Sequence, residues 1–319
     1  MKQYIFILFS TILLISCSEK NKVKEAIQEI PVDIKVDRFD QAFFETPIQD
    51  LSNLKQQYPS FFPQNVPDSV WTNKMSNPLW RELYTEVQKK YKNFDKQTSE
   101  IEDLFSHIKY YYPQTKTPKV VTLIYDMDPD YKAIYADSLI IVSLELYLGK
   151  NHKFYEFPEY QKLSFESSQI LPDIVQEFSV RKIKPPTEKD LLSLMIYAGK
   201  QLYLKDALLP EYSDEDKIGY TKEQLQWAIT NQADVWRFFI EEKLLYETDP
   251  KLAQRFIQPA PFTKFGLTSD NESPGRMGSW MGWQIVKSFM KNNTEATLQK
   301  MVLMDAKEIF QKSKYKPKK

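Results

Sequence analysis

The chain has 319 residues, enough for one large domain or two closely packed ones. Its 43 Lys and Arg balance 43 Asp and Glu, so the net charge is zero and the electropositive surface that nucleic acid requires is excluded. One cysteine and two histidines exclude an internal disulfide framework, a CxxC redox or metal site and any mechanism built on a histidine cluster.

Lys2 and the uncharged run Tyr4 to Ile15 read as a secretory signal over residues 1–16. Those 12 residues would reach about 18 Å as a helix, against about 30 Å of hydrocarbon, so the run is a signal and not a span. Cys17 follows directly in Leu14-Ile15-Ser16-Cys17, the position of a lipid acceptor, and two or more acyl chains there anchor a protein stably. Ser18-Glu19-Lys20 leaves open which membrane receives it. Residues 17–30 are polar and read as a lipidated tether, residues 31–312 as one domain, and residues 313–319, with Lys314, Lys316, Lys318 and Lys319, as a basic tail.

Within the domain, Val32, Ile34 and Val36 alternate with charged residues and predict a half-buried strand followed by a short helix. Thr46-Pro47 and Asn77-Pro78 each pair a good N-cap with proline at the first helical position; the second pair opens a helix from Leu79 to Tyr91. The proline-punctuated stretch Tyr58 to Ser76 reads as irregular. Ser99 and Glu102 form a capping box for a helix that ends before Tyr111. Lys119 to Tyr125 and Ser138 to Leu146 are β-branched runs bounded by turns, which predicts buried strands of one sheet. Beyond Gly149 the signals are helical: Thr187 opens a helix to about Tyr203, Thr221 and Gln224 make a capping box, and Asp249-Pro250 starts another. From that capping box one apolar face is expected to continue through Ile229, Trp236, Phe239, Ile240 and Leu244. The order predicts an α+β fold, a small mixed sheet in the N-terminal half packed against a mainly helical C-terminal half.

Four of the seven glycines fall between Gly266 and Gly282. In SPGRMGSWMGWQIV, from Ser273, Pro274 and Gly275 make a turn, and Gly278, Gly282 and Val286 then recur on one helical face. Two glycines inside a helix cost about 1 kcal/mol each relative to alanine, so close packing or a ligand must offset them. The segment is therefore read as a buried central helix. Gly275, Arg276, Gly278, Trp280, Gly282, Trp283 and Gln284 are its candidate pocket or partner-binding residues.

The usual hydrolase and nucleotide signatures, GxSxG, HExxH and GxxxxGK[ST], are absent. His107, on a helix, and His152, in a turn, read as structural. Asp126, Asp128, Asp130 and Asp137 fall at an EF-hand-like spacing, yet Tyr131 stands where that loop needs glycine and Pro129 stiffens it; a polar turn between strands is the expectation. Asp214-Glu215-Asp216 reads likewise as a helix-edge cluster. No metal and no cofactor are expected.

The strings IGYTKEQLQWAI at Ile218, VWRFFIEEKLLYETD at Val235, RFIQPAPFTKF at Arg255, SPGRMGSWMGWQIV at Ser273 and IFQKSKYKP at Ile309, with the Cys17 box, resemble the gliding motility lipoprotein family GldB of Bacteroidetes. The resemblance covers most of the chain. It implies a membrane-anchored, periplasm-facing lipoprotein required for gliding and for the type 9 secretion coupled to it, with gliding or secretion proteins as partners and no established enzyme activity. The family also looks distantly similar to zincin-like peptidases, and on that resemblance LPDIVQEF and MIYAGK place Pro172, Asp173, Gln176 and Ala198 at former metal-site positions. Pro, Gln and Ala offer zinc no imidazole or carboxylate, so the implied fold is a degenerate zincin acting as a non-catalytic subunit or assembly factor. The alternative is a peptidase or cell-wall hydrolase using Asp173 and Glu177, one helical turn apart.

Overall fold

The computed structural model describes residues 22–317; the signal, Cys17 and the last two lysines lie outside the described residues. Helix α1 covers residues 22–28 and buries Ile27, so the folded body begins within the expected tether. At the other end Tyr315 stacks edge-on against Trp236 at 5.3 Å and its hydroxyl accepts from Gln232 at 2.6 Å, which extends the packed body past residue 312.

The sheet has four strands in the order β1-β2-β4-β3: β1 Val36–Arg38, β2 Lys119–Leu123, β3 Ala133–Ala136 and β4 Leu139–Ser143. β1 and β4 flank β2 in parallel, while β3 joins β4 as an antiparallel hairpin through Asp137, which adopts φ 50° in the tight turn. Alternate residues serve opposite faces. Ile134 and Ile141 look toward the aromatic residues of α2 (Phe39–Glu45), and Tyr135 turns to α8 (Ile170–Lys182), where its ring lies 5.6 Å from Phe178.

Three expectations shift here. The first strand is confined to Val36–Arg38 and does not include Val32 or Ile34. Ser138 to Leu146 is strand only to Ser143 before a 3₁₀ turn, and the short edge strand β3 was not foreseen. Between β1 and β2 run α2, α3 (Leu51–Gln57), α4 (Asp68–Ser76), α5 (Pro78–Tyr91) and α6 (Asp95–Tyr111). Asn77 caps α5 as expected, accepting from Leu79 and Trp80. Thr46 instead closes α2, its hydroxyl donating to Ala42 at 2.6 Å. The stretch expected to be irregular contains α4, and α6 starts four residues before Ser99, where Asn93 accepts from the Asp95 amide at 2.7 Å.

After the small α7 (Glu159–Lys162) and α8, the chain forms α9 (Leu191–Leu208), α10 (Asp214–Ile218), α11 (Lys222–Thr230), α12 (Gln232–Glu241), α13 (Lys251–Phe256), α14 (Met277–Asn292), α15 (Leu298–Leu303) and α16 (Ala306–Ser313). α9 is capped by Asp190 and not opened at Thr187, because only the Asp190 carboxylate reaches the Ser193 amide. The Thr221 and Gln224 box forms as expected, but the apolar face does not continue through it. Asn231 breaks the helix, and Ile229 and Ile240 are about half exposed.

The core of the helical half is the crossing of α9 and α14. α9 is apolar on nearly every side, the pattern of a helix enclosed by protein. The two backbones touch at Gly199 and Gly282: a Cβ on Gly282 would sit 1.7 Å from the Met195 carbonyl oxygen. That contact fulfils the close packing expected of the glycine face. Gly278 looks elsewhere, toward the Phe256 carbonyl on α13. Among the described residues no helix is long and apolar enough to cross a membrane.

Candidate functional site

A cleft of about 440 Å³ opens where α8, α9, the loop after α10 and the entry to α14 meet. α8 contributes Asp173 and Gln176, three residues apart and so on one face. From α9 come Ala198, Gln201 and Lys205, spaced by three and four. Gly219 and Tyr220 close one side, Gly275, Arg276 and Ser279 another, and Lys132 enters from the turn before β3.

Arg276 owes its position to the turn the sequence encodes. It adopts φ 63°, the left-handed conformation, immediately before α14, and Gly275 lies so close to Ala260 that a Cβ would strike its carbonyl. The Tyr220 hydroxyl donates to the Gly275 carbonyl and fixes the turn from across the cleft. Arg276 Nη1 then donates to Ile218 O at 2.9 Å, while Nε is buried with no acceptor. Lys205 is 6% exposed and donates to Lys217 O at 3.0 Å. Burial pushes its ammonium down to about 7, Asp173 opposing and Arg276 and Lys132 reinforcing the shift. Burial also lowers Arg276. Asp173 accepts from Lys132 at 2.7 Å and from the Tyr147 hydroxyl at 2.8 Å. Gln176 donates to Gln201 at 3.0 Å.

The family model described as gliding motility protein GldB matches residues 20–317. The chain belongs to the GldB family. No curated protein and no solved structure matches it. The family's description ties the chain to gliding motility.

In this GldB-family chain Asp173, Gln176 and Ala198 meet at the cleft, but Pro172 is buried in α8 and does not line it. Glu177 does not line it either, although burial and then the charge of Asp173 raise its carboxyl above the usual range. Of the glycine-rich segment, Gly275, Arg276 and Ser279 reach the cleft. Gly278, Gly282, Trp280 and Trp283 are packing residues, Trp283 Nε1 donating to Asp206 at 2.8 Å. Gln284 lies outside the lining, and its amide nitrogen is buried without a partner.

The acidic turn behaves as expected: Asp126 pairs with Lys74 at 3.1 Å and Asp128 caps the 3₁₀ turn. Among the described residues no three His, Cys, Asp or Glu side chains group as a metal site would require.

Lys132, Lys205, Gln201 and Tyr220 are site residues that the sequence reading missed. One signal was present: Lys205, like Lys200, is a charge within a largely apolar helix, where a charge has no ordinary place. A second cavity, about 590 Å³, lies between α2, α4 and the sheet; it is lined mainly by Phe39, Phe43, Phe61, Trp71 and Ile141, with Lys74 and Asp126 at its edge.

Proposed function

We propose that the protein is a cell-envelope lipoprotein of the gliding apparatus, attached through lipid on Cys17, facing the periplasm and acting by docking to gliding or type 9 secretion proteins and not by catalysis. The observation that carries this reading is the family match over residues 20–317, immediately after an apolar signal run that ends in the only cysteine. The non-catalytic part is supported by the side chains themselves. Asp173 is held by Lys132 and Tyr147, Glu177 does not line the cleft, and Pro172, Gln176 and Ala198 supply neither imidazole nor carboxylate. On the same reading those positions are the remains of a peptidase site, three of the four still lining one cleft.

The test is a strain carrying Cys17→Ala beside one carrying Asp173→Asn and Glu177→Gln, which remove the carboxylates and keep their shape and the Asp173 side chain's acceptor oxygen. The first variant should fold, leave the membrane fraction and abolish gliding; persistent membrane attachment would contradict the lipid anchor. The second should accumulate normally and glide. Loss of gliding at normal abundance would contradict the non-catalytic reading.

A further inference from the structure

The cleft buries more positive charge than its carboxylates neutralise. Lys205 and Arg276 each rest on a neutral carbonyl at the end of α10, Lys217 O and Ile218 O. The carboxylate that both cations feel, Asp173, is already matched by the Lys132 ammonium at 2.7 Å and by the Tyr147 hydroxyl. Asp130 also lines the cleft, but as an exposed residue of the turn. The buried Lys205 and the partly exposed Arg276, whose Nε is buried, therefore share one space without an anion of their own, an arrangement that is unfavourable unless Lys205 gives up its proton or something supplies the counter-charge.

The unpartnered donors also have a shape. With Nη1 spent on Ile218, the edge of Arg276 that contains the unpartnered Nε is a planar two-donor fork, the shape that matches two oxygens of one anionic group. Gln176 and Gln201 line the neighbouring wall, where amides can bond the polar body of a ligand.

We propose that this cleft binds an oxyanion, a carboxylate or phosphate group of a small polar ligand, between the Lys205 ammonium and the Arg276 guanidinium. The inference goes beyond the anchoring and motility reading and stands whether or not that reading holds.

The experiment is calorimetric titration of the full chain in detergent, at constant ionic strength set with sodium chloride. Three probes are used: inorganic phosphate, acetyl-trialanine with its free carboxylate, and the C-terminal amide of the same peptide. At least one anion should bind saturably at one site per chain, and the amide should not. Binding of the peptide acid assigns a carboxylate ligand; binding of phosphate alone assigns a phosphate ester. Arg276→Gln and Lys205→Met should each weaken binding by about tenfold or more, the scale of one charge-assisted hydrogen bond. Arg276 sits in a constrained turn, so Lys205→Met, which leaves the backbone undemanding, keeps the test decisive if Arg276→Gln does not fold. No binding of either anion, equal binding of the amide, or unchanged binding by Lys205→Met would overturn the proposal.

Discussion

Asp40, beneath the sheet, and Lys205, in the cleft, are both almost fully buried ionic groups, but their surroundings differ in kind. Asp40 accepts from Arg38 Nε at 2.9 Å and Nη2 at 2.7 Å, from the Thr122 hydroxyl at 2.5 Å and from Gln88 at 2.8 Å, so both oxygens and the opposite charge are answered within the protein. Lys205 meets one carbonyl, and Arg276, a cation whose charge it feels, has a buried nitrogen with no partner at all. A closed network such as the first ties β1, α2, β2 and α5 into one arrangement. An open one leaves the fold carrying a penalty, which is sensible only where something from outside removes it. Burial of charge alone thus does not mark a site, and neither does a missing counter-charge by itself, since Lys200 on α9 is also buried and rests on the Val302 and Met304 carbonyls; at Lys205 the missing counter-charge coincides with an open cleft.

The difference can be broken from either side. Asp40→Ala would leave Arg38, whose side chain is 15% exposed, without its anion and should destabilise by about 3–5 kcal/mol in chemical denaturation. A loss below about 1 kcal/mol would mean that the network is decoration. Next in size is Gly282→Ala, about 3 kcal/mol, because the new methyl would overlap the Met195 carbonyl and no side chain can move aside to relieve it. It would also part α9 from α14 and admit water to Lys205; an unchanged melting temperature would show that the helices do not touch there.

Lys205→Met has the opposite sign. Replacing a charge that lacks a counter-ion by an apolar chain of similar length should stabilise the unliganded protein by about 1–2 kcal/mol, and a clear loss would place Lys205 in a closed network like that of Asp40. The smallest effect belongs to the exposed pair of Lys96 and Glu100, 3.7 Å apart and four residues along α6: removing it should change stability by less than about 0.5 kcal/mol.

What could be read from the sequence was local. Asn77 before Pro78, and Thr221 with Gln224, are capping signals whose partners lie within three residues, and both formed. Thr46 misled because its hydroxyl had an equally near acceptor behind it, at Ala42, and the following proline holds position 46 extended. Ser99 and Thr187 were eclipsed by the better-placed Asn93 and Asp190. The glycines of α14 announced a close approach, although the sequence did not say that Gly199 was the other half of it.

The cleft was legible only in part. Asp173 and Gln176 were singled out through the zincin-like resemblance and Arg276 through the glycine-rich segment, but Lys132, Lys205 and Tyr220 come from other segments of the chain. The imbalance of charge among them exists only once the chain has folded.

Whether Lys205 lacks a counter-charge can be followed directly at its ammonium by nuclear magnetic resonance of full-length protein labelled with carbon-13 at lysine Cε. The midpoint should lie at about 7, far below the ordinary 10.5, with burial as the main cause and Asp173, Arg276 and Lys132 as the facing charges. Between those two values the unfolded chain keeps a proton that the folded chain has released, so wild type should gain stability relative to Lys205→Met as the pH rises through that window. Adding phosphate or acetyl-trialanine should carry the midpoint upward. A midpoint near 10.5 with neither anion present would contradict the account.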